Sequence, residues 1–111
     1  MARNGLMIDY EYCTGCHSCE VACRKEKGIP NDKWGIKLTE VGPWNVSGDH
    51  WEWNYVPVPT ELCDLCEDRV ANGELPSCVL HCLGKCMECG PVDELAKKMD
   101  AKGKKVTLFV P

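Results

Sequence analysis

The chain is short of the features that most function classes require. Nowhere in its 111 residues do apolar residues run for the ~20 positions that a helix needs to cross a bilayer, so no direct membrane span is expected. There is no basic run, and the formal net charge is −4. Nucleic-acid phosphates repel such a chain, which argues against a nucleic-acid partner. The opening Met1-Ala2-Arg3-Asn4-Gly5-Leu6 has neither an apolar signal core nor a twin arginine, and the expected compartment is the cytoplasm. No histidine–carboxylate–nucleophile grouping stands out. No phosphate-cradling glycine loop occurs either, since Gly84-Lys85 lacks the preceding glycine spacing. No catalytic residue is assigned. The core is thin as well: 44% of residues count as hydrophobic, and ten of these are cysteine. Metal is therefore expected to supply part of the folding energy.

What is present is cysteine in a pattern. Cys13-Thr-Gly-Cys16-His-Ser-Cys19-Glu-Val-Ala-Cys23 has the spacing C-x2-C-x2-C-x3-C, that of a bacterial cluster-binding run. Gly15 lets the first three thiolates curl round an inorganic core. Cys23 lies one helical turn beyond Cys19, and in two-cluster proteins this fourth thiolate reaches the other cluster. A partner run is present: Cys63-Asp-Leu-Cys66, eleven residues, then Cys78-Val-Leu-His-Cys82. Crossing the fourth ligands predicts two [4Fe–4S] clusters. Cluster one takes Cys13, Cys16, Cys19 and Cys82; cluster two takes Cys63, Cys66, Cys78 and Cys23. Two such clusters, each about −2 with its thiolates, would deepen the acidity to roughly −8. A disulfide framework would need a secreted chain. Zinc is the stronger rival, since Cys63-x2-Cys66 suits a ribbon, but four cysteines within eleven residues do not suit a zinc site built from separate pairs.

Around these runs a single α+β domain is expected over residues 1–111, with cluster-binding halves at 5–30 and 60–90. Leu6-Met7-Ile8 reads as an opening strand. A helix from about Cys19 to Lys27 is stopped by Gly28 and Pro30, with cations in its last turn. Residues 31–62 form a hairpin insertion, in which Ile36–Val41 and Trp51–Val56 alternate about a long turn-rich tip, Gly42–Asp49. Its tryptophans (Trp34, Trp44, Trp51 and Trp53) either shield the clusters from water or form a docking surface. Glu67–Asn72 reads as one or two helical turns, and Pro76 starts a helix carrying Cys78 and Cys82 on one face. The extension 91–111 holds a helix from Pro91 to about Lys102, then Val106–Val110, which is either a closing strand or an arm laid on a partner.

Cys86 and Cys89 exceed the count of eight. They read as small buried residues near cluster one; alternatively Cys86, one helical turn on, could replace Cys82. His17 and His81 adjoin ligands and either tune them or lie at the surface.

Gly5-Leu-Met-Ile-Asp9 ahead of the first run resembles the opening of the iron–sulfur subunits of dimethyl sulfoxide reductase-type molybdopterin oxidoreductases. So does the closing block, with Cys63-Asp-Leu-Cys66-Glu-Asp-Arg-Val-Ala-Asn-Gly73, Pro76-Ser-Cys78-Val-Leu-His-Cys82 and Gly90-Pro-Val-Asp-Glu-Leu95. The long second gap is this family's habit. Three departures stand out: the two middle cysteine groups of the family are missing, Leu83 replaces the proline that usually follows the last ligand, and Cys86 and Cys89 stand where small or aromatic residues are usual. The resemblance implies a ferredoxin-like, non-catalytic electron-transfer subunit docked on a large catalytic subunit with a molybdenum or tungsten bis-pterin cofactor. That partner would be a dehydroxylase, transhydroxylase or other reductase, and the electron donor or acceptor a soluble ferredoxin or a quinol-linked subunit. It also implies a route of export, as the passenger of a signal-bearing partner. The rival is a free-standing two-cluster ferredoxin.

Overall fold

Leu6-Met7-Ile8 does open the chain as a strand, within β1 (Asn4–Asp9), and all three side chains are buried. The computed structural model describes residues 4–30 and 32–111. Residues 1–3, on which the leader expectation partly rests, and Asn31, the first position of the expected insertion, lie outside the described residues.

β1 is the middle strand of an antiparallel three-stranded sheet. On one side β5 (Val106–Phe109) sets Phe109 opposite Leu6 and Val106 opposite Asp9. The tail is therefore a strand of the sheet and not a free arm. On the other side β4 (Met87–Pro91) sets Met87 opposite Ile8 and Pro91 opposite Asn4. The sequence shows little sign of β4, because Gly90 and Pro91 are poor strand residues; Pro91 is tolerated because β4 is an edge strand.

Helix α1 (Ser18–Lys27) starts one residue before the predicted Cys19 and ends at Gly28, with Arg24, Lys25 and Lys27 in its last turn. Helix α2 (Glu67–Ala71) is short, as the composition suggests. Helix α3 (Ser77–His81) is shorter than predicted. Cys82 lies beyond its end in an extended conformation (φ −68°, ψ 117°), so Cys78 and Cys82 do not share a helix face. The chain then turns through Lys85, at φ 52°, into β4. Helix α4 (Val92–Lys102) buries Leu95 and joins β1 through Lys102 Nζ, 2.9 Å from Asp9 Oδ2.

The insertion is a two-stranded sheet, β2 (Ile36–Ser47) with β3 (His50–Pro59). The long tip is not formed. The ladder is interrupted between Val41 and Trp44, resumes with Trp44 opposite Glu52, and turns at Gly48-Asp49. Gly42 and Pro43 signal a turn in sequence but make a bulge here, joined by a cis peptide. Gly42 sits at φ 97° with its α-carbon against the Glu52 carbonyl, and no side chain would fit there.

The buried apolar set mixes aliphatic residues with six cysteines: Cys19, Cys23, Cys66, Cys78, Cys82 and Cys86. Much of the core is thus sulfur, as the thin apolar share implies.

Candidate metal centre

Two loops of similar build carry the leading cysteines. In the first, Gly15 (φ 74°) and His17 (φ 63°) adopt the left-handed conformation. A Cβ on Gly15 would stand 3.1 Å from the Tyr55 ring, so the loop is pressed against the hairpin base. In the second, Leu65 (φ 59°) and Cys66 (φ 52°) adopt it in succession without glycine, at a usual cost of ~1–2 kcal/mol each. This curling turns backbone N–H groups onto sulfur. Gly15 N–H donates to Cys13, Ser18 N–H to Cys16 and Leu65 N–H to Cys63. The Ser77 N lies 3.5 Å from Cys66 Sγ.

The cysteines gather around two separate, largely enclosed cavities. One is lined by Cys13, Cys16, Cys19 and Cys82, together with Cys86. The other is lined by Cys63, Cys66, Cys78 and Cys23. The structure thus brings together both four-thiol sets expected from the crossed spacing. Cys23 leaves its own run because α1 carries it a turn away, and Cys82 reaches the first cavity because the chain extends after α3. Among the described residues no three Cys, His, Asp or Glu side chains are grouped as a single metal ion would require.

The donor set fits a cationic inorganic core. Burial pushes the Cys19 thiol up to about 12 and Cys23 to about 11, and Cys78 is raised further. Neighbouring sulfurs add to this: Cys63 and Cys66 raise Cys23, and Cys66 and Cys23 raise Cys78. Thiolates so placed need positive charge among them to ionise, which a bound iron–sulfur core would supply. Packing fits too, since a Cβ on Gly35 would run into Cys23 Sγ. Cys16 is the exception. It is exposed, and hydrogen bonds from the Ser18 hydroxyl and N–H, the leading influences, lower it to about 7.

One of those donors bears on a family departure. Leu83 N–H also donates to Cys16, and the proline usual at this position has no N–H to give.

Two polar contacts frame the cavities. Glu20, buried on α1, accepts from the Leu38 N–H at 2.7 Å and lies 2.6 Å from His17 Nδ1 and 3.4 Å from Lys37 Nζ. Burial pushes its carboxyl up, but these partners outweigh burial and hold it below the ordinary range. Glu20 thereby fastens the hairpin base to α1 beside the first cavity, which Leu38 and Pro57 help to line. At the second cavity Lys27 Nζ lies 2.7 Å from Asp64 Oδ2. Sequence reading misses Glu20, because an acidic residue in a first helical turn looks like an ordinary response to the helix dipole.

The tryptophans divide. Trp34 packs under the Arg24 guanidinium, 3.5 Å from the ring centroid, whereas Trp44, Trp51 and Trp53 are exposed. Every residue from Trp44 to Trp51 is exposed, so the shielding of the first cavity falls to Leu38 and Pro57 and not to these rings. His17 holds Glu20, and His81 Nδ1 is 2.9 Å from the Ser77 carbonyl. Cys86 is buried at the first cavity as expected, but across a turn and not on a helix. Cys89 differs from expectation: it is half-buried on β4 and feels Cys63 and Cys66 of the second set.

No protein-family model matches the chain. Among curated proteins it is similar to the B subunit of the anaerobic dimethyl sulfoxide reductase of Escherichia coli, 32% identical over 93 residues, which covers 84% of this chain and 34% of that subunit. The B subunit of the polysulfide reductase of Wolinella succinogenes is 27% identical over 115 aligned positions, 88% of this chain and 60% of its own length. The arsenate respiratory reductase iron–sulfur subunit of a Shewanella species is 28% identical over 106, covering 80% and 42%. The chain thus spans about a third of the length of the dimethyl sulfoxide reductase subunit that it matches.

Proposed function

For a chain related to the B subunits of dimethyl sulfoxide and polysulfide reductases and to an arsenate reductase's iron–sulfur subunit, we propose the role of a non-catalytic electron-transfer subunit with two [4Fe–4S] clusters. Cys13, Cys16, Cys19 and Cys82 hold cluster one; Cys63, Cys66, Cys78 and Cys23 hold cluster two. The observation that carries this reading is the pair of cavities, each lined by one complete crossed set. When bound, the clusters supply one-electron chemistry. The chain's part is to fix eight thiolates, aim N–H groups at their sulfurs and keep water from the buried ones.

The electrons pass to or from a larger catalytic subunit carrying a molybdenum or tungsten bis-pterin. The exposed end of the hairpin is the surface offered to it, since Trp44, Trp51 and Trp53 stand in solvent and tryptophan is enriched where proteins bind. A cytoplasmic location belongs to the same reading, and fractionation of the native host tests it.

The deciding experiment is anaerobic affinity purification from that host, with iron, sulfide, molybdenum and tungsten quantified. About eight irons per chain, with molybdenum or tungsten and a large co-eluting subunit, is the expected result. Eight irons with no second metal and no partner would instead make this a free electron carrier. A colourless, zinc-loaded chain would overturn the cluster reading.

A further inference from the structure

The first cavity holds more sulfur than one cluster needs. Cys86 lines it beside Cys13, Cys16, Cys19 and Cys82. It is 4% exposed, and its Sγ lies 3.6 Å from Cys82 Sγ. Its side chain also interacts with Cys13, so it stands between two of the expected ligands. The backbone holds it there. The Cys86 carbonyl accepts the Asp9 N–H at 2.7 Å, just ahead of the β1–β4 ladder that starts with Met87 opposite Ile8. Lys85, left-handed at φ 52°, donates its N–H to the Cys82 carbonyl at 3.3 Å and closes the turn between the two cysteines.

Resting on the cluster reading above, we propose that Cys82 and Cys86 are interchangeable fourth ligands of cluster one. One is bound as thiolate while the other waits as a thiol in sulfur–sulfur contact with it. In the exchange Cys86 gives its S–H proton to Cys82 as its own bond to iron forms and the Cys82–iron bond breaks. One iron–sulfur bond replaces another, one proton crosses the contact, and neither charge nor oxidation state changes. The second cavity has no equivalent, because Cys89 does not line it.

The test uses the full chain, purified anaerobically as wild type, Cys82→Ala, Cys86→Ala and the double variant. Alanine is chosen because serine oxygen can itself bind iron. Iron and sulfide are counted, and EPR spectra of the reduced chains are recorded. Each single variant should keep about eight irons and both signals, while the double variant should fall to roughly four with only cluster two remaining. Complete loss of cluster one in Cys82→Ala, equal to the double variant, would overturn the exchange. A second measurement does not depend on the folding of Cys82→Ala: iron release to a chelator. Removing the waiting thiol in Cys86→Ala should speed loss of the cluster-one half about tenfold, the scale seen when a metal site loses a supporting group. An unchanged rate would overturn the proposal. A wild-type chain without iron would instead sink the cluster reading itself.

Discussion

The two cavities solve one problem with different materials. The first is built from a tight loop, Cys13 to Cys19, closed by the hairpin base through Leu38 and Pro57. It has an exposed edge at Cys16 and a surplus thiol at Cys86. The second is built from a loop without glycine at its left-handed positions, Leu65 and Cys66, and from Cys78 beyond an eleven-residue gap. It has a Lys27–Asp64 ion pair at its edge and no spare sulfur. The lesson is that crossing the fourth cysteines makes the halves interdependent: α1 carries Cys19 to one cavity and Cys23 to the other. Neither cavity is complete without the other half of the chain.

The sharpest way to break this comparison is to strike α1 twice. Cys19→Ala should remove cluster one and leave cluster two. Cys86 lies sulfur to sulfur against Cys82, at 3.6 Å, so it is placed to stand in for Cys82 and not for Cys19 on α1, and no rescue is expected. Cys23→Ala, four residues away on the same helix, should remove cluster two and leave cluster one. Each loss amounts to about four irons. If both variants bleach the same EPR signal, ligation follows sequence runs and the crossing is wrong.

The next largest effect falls on the hairpin. Glu20→Ala strips the acceptor from the buried Leu38 N–H, and an unsatisfied buried donor costs about 1–3 kcal/mol. Hydrogen exchange is the suitable readout, since a cluster-bearing chain does not unfold in two states. The Leu38 amide should exchange faster by about one to two orders of magnitude, the equivalent of that cost, while amides of β1 and β4 hold. The sign of the pH dependence follows from the depressed carboxyl. Its contribution is complete above the ordinary glutamate range and is lost as pH falls through the lower folded value, so acid should loosen the hairpin base.

Much of this arrangement is legible in the sequence, and the failures have physical causes. The two thiol sets are predicted from the spacing because it matches a cluster-binding run whose fourth thiolate serves the other cluster. Helix α1 and helix α4 are legible from their caps and charges. Strand β4 is not, because its pairing with β1 overrides the weak propensity of Gly90 and Pro91. The bulge at Gly42-Pro43 reads as a turn because the same residues serve both purposes. Cys86 looks like a helical neighbour of Cys82; only the early end of α3 and the turn at Lys85 reveal how it returns to the cavity.

Smaller changes should separate the cavities by potential. Leu83→Pro removes an N–H donor from Cys16, and the extended backbone of Cys82 already suits a following proline. Hydrogen bonds to sulfur favour the reduced, more negative cluster, so the cluster-one potential should drop. A bond worth about 1 kcal/mol corresponds to roughly 40 mV for one electron. Redox titration by EPR should find cluster two unmoved; an equal shift at both clusters would mean that the fold, and not the donor, had changed.

The mildest perturbation is the matching one at the second cavity. Lys27 and Asp64 are partly exposed, and such pairs are worth about 0–1 kcal/mol. The pull of each charge on the cluster is likewise screened by solvent, so removing either should move the cluster-two potential by roughly 40 mV for an interaction of about 1 kcal/mol. The signs must oppose. Lys27→Ala withdraws a positive charge that favours the extra electron and lowers the potential, whereas Asp64→Asn withdraws a negative one and raises it. Shifts of the same sign would mean that both substitutions act by loosening the 63–66 loop, since Asp64 Oδ1 also accepts the Cys66 N–H at 2.9 Å. Opposite shifts confined to cluster two would show that this edge sets potential by charge, in contrast to the hydrogen bonds to Cys16 expected to set it at the first cavity.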